Sequence, residues 1–287
     1  MLIRTLALCL LLATEVAGAN VSVIDFAGRE VKLANPAQRI VALAPHIVEN
    51  LFSAGAGDKI VGVVSYSDFP PAARAIAQVG SYNAFSLETI VALRPDLVVM
   101  WYSGNGIQTL SRLEALGIPV YVSELRQLAD IPASIRRLGT LAGTRATAEV
   151  EALRIERQLL QLEATYGKGE PAAVFYQIWN RPLQTVNGSH LISQVIALCG
   201  GHNLFADATS LAPTISLESV LARNPDVIVA SGMDRSRPEW LDSWKAYPGI
   251  SAVRDGALYF IEPDHIQRPT ARVLLGAQRL CNLLDSP

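Results

Sequence analysis

Cysteine is scarce: the chain of 287 residues has three, and Cys9 falls among the first ten. Charge imbalance is scarcer still, with 24 Lys and Arg against 26 Asp and Glu, no basic run and no acidic tail. That excludes nucleic acid as a natural partner. No apolar run reaches the ~20 residues that a membrane span requires. There is no GxSxG elbow, no P-loop and no GxGxxG fingerprint, and no nucleophile stands at a readable spacing from a base. The expectation is therefore a protein that is not an enzyme. The four histidines, His46, His190, His202 and His265, are widely scattered and show neither CxxC nor HExxH spacing, so no metal site is expected. His46 and Glu49 form only a lone pair on one helical face.

Half of the residues are hydrophobic and 17% are charged, enough apolar surface for a large core, and the length suits two domains. The first stretch reads as a leader. Arg4 supplies the positive n-region, Leu6 to Ala13 the apolar h-region, and Ala17-Gly18-Ala19 a small-x-small cleavage site. Residues 1–19 are thus expected to be a cleaved signal peptide, with Asn20 first in the mature chain and the periplasm its destination. Cys9 sits early, behind bulky Leu8, so no lipid attachment is expected. Export leaves Cys199 and Cys281, and an even pair in an oxidising compartment predicts one disulfide. The alternative is two buried thiols.

One sentence of the sequence is said twice. Residues 86–100 read SLETIVALRPDLVVM and residues 216–230 read SLESVLARNPDVIVA. The spacing is too long for a solenoid repeat of ~20–50 residues, so the copies mark two halves of similar build. In each, Ser86 or Ser216 is a helix N-cap, and Glu88 or Glu218 sits in the first turn where the helix dipole favours an acid. Pro95 or Pro225 ends the helix. A short apolar run follows, read as a buried parallel strand. Helix then strand, twice, predicts two α/β lobes.

Residues 20–130 form the expected N-terminal α/β lobe, beginning with a hairpin around Ala27-Gly28 and a buried strand over 39–44. Residues 131–170 form the expected bridge, with a helix of about 22 residues over 145–166 that would run ~33 Å. Residues 171–287 form the expected C-terminal lobe. Polar and aromatic residues gather in the loops after strands, where open α/β sheets bind ligands.

This order resembles the class III substrate-binding proteins of ABC importers, over essentially the whole mature chain. The stretches that carry the resemblance are VGVVSYSDFPP (61–71), LETIVALRPDLV (87–98), the Trp101 region, QVIALCGGHNLF (194–205), SLESVLARNPDVIV (216–229) and RPTARVLLGAQRLCNLL (268–284). The resemblance implies two Rossmann-like lobes joined by one long bridging α-helix, with the ligand held between them. It leans towards the members that carry cobalamin, a cobalt-containing cargo, with no resident cofactor. It also implies a monomer that docks transiently on a membrane permease.

By the same resemblance, Tyr66, Tyr82 and Trp101 line the wall of the first lobe, and Asp264 and Arg268 are a polar pair on the second. Ile178 and Ala212 stand where aromatics are expected, and Trp179 is one position along, replacing the lost ring only if it lies in the loop beyond its strand. His46 falls on the same loop edge as Trp101 and is a further candidate. Glu88 and Glu218 match the surface acids that meet arginines of the permease, while each also satisfies a helix dipole. The cysteine pair looks like the family's disulfide. The same architecture carrying haem or an iron siderophore is the first alternative, with Tyr82 near a haem tyrosine position and Arg268 and Arg181 as candidate cations. A ligand-sensing module without transport is the second.

Overall fold

The computed structural model of the chain describes residues 20–167, 170–232 and 235–285. The expected leader at 1–19 lies outside them. Two separate four-stranded parallel sheets form the two lobes. The first runs Ile60–Val63, Ile40–Ala42, Leu97–Trp101, Val120–Ser123 in spatial order, and the second runs Gly201–Asn203, Ala172–Gln177, Val227–Ala230, Leu258–Phe260. Counted along each lobe, both sheets have the same order, 2-1-3-4. Val41 pairs with Val98 in the first and Phe175 with Ile228 in the second. The central strands are buried on both faces, as the β-branched runs require. This order reverses between strands one and three, and that crevice is where such folds bind.

The repeated sentence does the same work in both lobes. Ser86 Oγ accepts from Thr89 N at 3.1 Å and Ser216 Oγ from Ser219 N at 3.2 Å, each capping the short helix. After the proline, Asp96 accepts from the amides of Gln38 and Arg39, which lead into the first strand. Asp226 accepts from Ala173 N at the equivalent place. Each aspartate thus holds the strand two places earlier in the chain against its own. The residue before each proline lies in the left-handed region, with φ 48° at Arg94 and 46° at Asn224.

The long helix runs Arg145–Tyr166, 22 residues. It is anchored at both ends: Thr144 Oγ1 donates to Ala54 O of the first lobe, and the Tyr166 hydroxyl meets Asn282 of the second. The bridge expected over 131–170 is in fact two helices. Asp130–Ala142 packs along the long helix and also on the N-terminal hairpin and the first helix of the first lobe. Gly143, at φ 73°, ends it in the left-handed conformation that glycine adopts freely. Arg136 ties it to the long helix through Glu149 and Glu156. In the second lobe Cys199 and Cys281 form a disulfide with Cα atoms 4.5 Å apart, joining the helix Leu191–Leu198 to the closing helix Val273–Leu284.

Candidate ligand-binding cleft

In the first lobe the two sides of the crevice carry His46, in the first turn of the helix Pro45–Ser53 after strand one, and Trp101, the last residue of strand three. Their rings meet edge to face with centroids 5.4 Å apart. Tyr82 lies on the other side of Trp101 at 5.9 Å. Asn105 fixes this group: its Oδ1 accepts from Trp101 N at 2.6 Å, and its Nδ2 donates to Leu43 O and Tyr82 O. Tyr66, in the loop after strand two, is 80% exposed, and Tyr82 is 43% exposed. Large rings left open in this way can cover an apolar ligand at little cost. His46 is buried, and burial first, then the charge of Arg268, pushes its imidazole down to about 3, so it is neutral. Its Nε2 has no hydrogen-bond partner.

In the second lobe Trp179 lies beyond the strand Ala172–Gln177, in a two-residue hairpin strand paired with Leu183–Gln184. It therefore lies in a short strand rather than in a loop, and its indole Nε1 is tied to Arg181 O at 2.9 Å. It makes no ring contact with Tyr66, Tyr82 or Trp101. Asp264 and Arg268 do pair, at 3.0 Å, one turn apart. Arg268 also reaches Tyr66 O across the lobes, at 3.4 Å.

The polar side of the cleft is larger than the sequence indicated. Glu49, 3% exposed at its side chain, receives Arg268 at 2.9 Å and Arg272 at 2.7 Å. Asn50 beside it donates to Pro269 O. Asp68 receives Arg235 at 2.6 Å, and Arg235 also binds Asp264 at 2.8 Å with Glu262 at 3.5 Å. Glu49, Asn50 and Asp68 come from the first lobe, the arginines from the second. Four carboxylates (Glu49, Asp68, Glu262, Asp264) against three guanidiniums (Arg235, Arg268, Arg272) leave a formal charge of −1. Glu49 carried a sequence signal, a charge inside an otherwise apolar helix, which asks for a buried partner. Asp68, Arg235 and Arg272 carried none. A concavity of about 770 Å³ adjoins this cluster on the side of the long helix, between Phe52, Phe69, Val150 and Arg272. Its charged residues are all paired, Glu49 with Arg272 and Glu151 with Arg154, so it offers a ligand less than the open rings do.

Glu88 and Glu218 are both exposed, in the first turns of the twin helices. Ser86 N bonds Val79 O, and Val79 N bonds Val63 O at the end of strand two of the first lobe. Ile215 N bonds Leu183 O, in the hairpin just after strand one of the second. Both acids therefore stand at the carboxyl ends of their sheets, the end that faces the cleft. Its own backbone amide, then the Ser216 hydroxyl, hold the Glu218 carboxyl below the usual range, so it is ionised.

Comparison with known proteins agrees with this architecture. The sequence profile of the periplasmic binding proteins matches residues 40–265. A vitamin B12-binding protein of Vibrio campbellii is 36% identical over 251 residues, 88% of this chain and 90% of that protein. The crystal structure of the periplasmic vitamin B12 binding protein of Vibrio cholerae superposes with a TM-score of 0.79 at 34% identity, covering 87% of this chain and 97% of that one. A periplasmic heme-binding protein of Roseiflexus sp. RS-1 shares the fold, with a TM-score of 0.75 at 24% identity over 86% of this chain and 97% of that one. Twin α/β lobes, a rigid connecting helix and a cleft walled by loops from both sheets are what this membership requires, and the chain belongs to the periplasmic binding protein family.

Proposed function

We propose that this protein captures cobalamin or a related corrinoid between its lobes and delivers it to an ABC importer. The observation that carries the reading is the combination of open aromatic rings on one side with a polar cluster that has no spare positive charge. A corrin is a large, mostly apolar macrocycle rimmed by neutral amides. Tyr66, Tyr82 and Trp101 offer it apolar area, with Trp179 available from the other lobe. Asp264 and Arg268 accept from and donate to its amides, and His46, neutral and buried against Trp101, backs that ring without adding a charge.

The alternatives meet this cluster badly. Haem brings two propionates and a ferric siderophore brings several anionic oxygens. Each would need cations, but Arg235, Arg268 and Arg272 are already neutralised. An added anion next to a net negative cluster is disfavoured in proportion to how dry the site is. The vitamin B12-binding relatives, at over a third identity, support the same choice. In this reading the leader at 1–19 sends the chain to the periplasm, and Glu88 and Glu218 meet the permease. The long helix, anchored in both lobes, keeps closure small, so little conformational cost falls on binding. Titration calorimetry with cyanocobalamin, haemin and a ferric siderophore tests the ligand. Heat with the first alone is expected. Silence with cyanocobalamin together with a Soret shift for haemin would overturn the assignment.

A further inference from the structure

Arg235 is not part of the ring wall, yet it holds the most exposed link between the lobes. It follows strand three of the second sheet, on the opposite side of that sheet's crevice from Trp179. Its Nε donates to Asp264 Oδ2 at 3.0 Å and its Nη2 to the same oxygen at 2.8 Å. That Nη2 also donates to Asp68 Oδ2 of the first lobe at 2.6 Å. Asp68 lies two residues after Tyr66, so the contact passes beside the open ring. The three arginines form a ladder. Arg272 and Arg268 hold buried Glu49 with side chains 10% and 19% exposed, and Arg235, 52% exposed, stands outermost.

We propose that Arg235 is a clasp across the mouth of the cleft, joining Asp68 to Asp264, and that its release from Asp68 gates the passage of ligand in and out. The inference rests on the reading that a corrinoid occupies this cleft. Its physical basis is the contrast along the ladder. The Glu49 pairs are buried, poorly screened and costly to break, so they hold the floor together. The Asp68–Arg235 pair is half in water, where salt screens it and where it is weak enough to open on the time scale of exchange. The planar fork of arginine lets one side chain hold two carboxylates, which a lysine ammonium does less well.

The clasp acts on the barrier, not on the bound contacts, so it slows entry and exit together. Cyanocobalamin carries no net charge, so salt has little direct effect on its encounter with the protein. Stopped-flow binding of cyanocobalamin to the mature chain therefore isolates the clasp. In the unaltered protein, association and dissociation rates should both rise from low to high salt. In Arg235→Ala both should already be raised at low salt, by about fivefold for an ion pair of this exposure, and should lose their salt dependence. Asp68→Asn also loses the longer contact of Asp68 Oδ1 with Arg268 Nη1 at 3.8 Å, so it should raise the rates at least as far, and the double variant should match Asp68→Asn alone. Arg235→Lys should fall between.

Unchanged rates in Arg235→Ala, or a faster dissociation with unaltered association, would overturn the clasp; the second outcome would make Arg235 a ligand contact. If the unaltered protein does not bind cyanocobalamin, the ligand assignment fails, and the clasp is judged without ligand. Amide exchange across residues 64–69 should then be faster in Arg235→Ala. Equal exchange there would sink the clasp itself.

Discussion

His46 and His190 are the residues whose chemistry the fold alters most. Burial pushes the first down to about 3 and the second to about 4, from an ordinary value of 6.5. His190 Nδ1 caps the helix Leu191–Leu198 by accepting from Ile192 N at 3.1 Å, a bond that needs a free lone pair. The unfolded chain takes up protons on both as pH falls through 6.5, while the folded chain refuses them until near 4 and below. Stability is therefore full above 6.5 and declines below it. The expected slope is about 1.4 kcal/mol per pH unit for each histidine, or about 2–3 kcal/mol together. Urea unfolding at about pH 7.5 and about pH 5.5 should show the fall, and His46→Gln should remove roughly half of it. A flat profile across that window would mean that both rings take up protons in the folded state, and half the fall that one does. The aromatic candidates were named from the family resemblance, and the structure brings Tyr82 and Trp101 together. Glu49 was visible only as half of a pair, since its partners Arg268 and Arg272 come 219 and 223 residues later. Asn105, whose role is wholly in backbone contacts, carried no signal.

The repeated helix and strand were the most legible elements, because capping serine, first-turn acid, proline and β-branched run are all local causes with local effects. The same repeat exposes a difference that matters energetically. Arg94 and Asn224 occupy equivalent places with nearly equal positive φ, but asparagine tolerates that conformation and arginine does not. Arg94→Asn should therefore stabilise the first lobe by about 0.5–1 kcal/mol, read as a higher urea midpoint with unchanged slope. The Arg39 side chain binds only the backbone carbonyls of Leu93 and Arg94, so the exchange leaves those bonds in place. A lower midpoint would show that the Arg94 side chain contributes more than the strain costs. Elements set by distant partners were not legible. The strand Gly201–Asn203 has no β-branched residue and an exposed His202 at its centre, and exists because it pairs with Ala172–Val174. The start of the long helix at Arg145 was legible, but the separate helix Asp130–Ala142 before it was not given bounds of its own.

For the whole molecule, the question is how two stiff lobes give up a ligand. The rod is anchored at Ala54 and at Asn282, and the floor is pinned by Glu49, so thermal opening is small. In the proposed reading the permease speeds unloading by a force applied to both lobes at once. Glu88 and Glu218 are suited to receive it: equivalent in the repeat, exposed, and standing at the cleft end of each sheet. Each lies one turn into a helix leading to a central strand, so a pull on either carboxylate is transmitted to the sheet that carries the cleft loops. A variant with both Glu88→Ala and Glu218→Ala should keep the affinity of the unaltered protein for cyanocobalamin, because neither residue touches the ring wall or the ion-pair ladder. It should fail to stimulate ATP hydrolysis and uptake by the cognate permease in vesicles. Each single variant should be intermediate, since one lobe remains held. Restoring charge with Asp at both positions should recover part of the activity, which a simple loss of helix stability would not. Full transport by the double variant would show that the permease grips the lobes elsewhere.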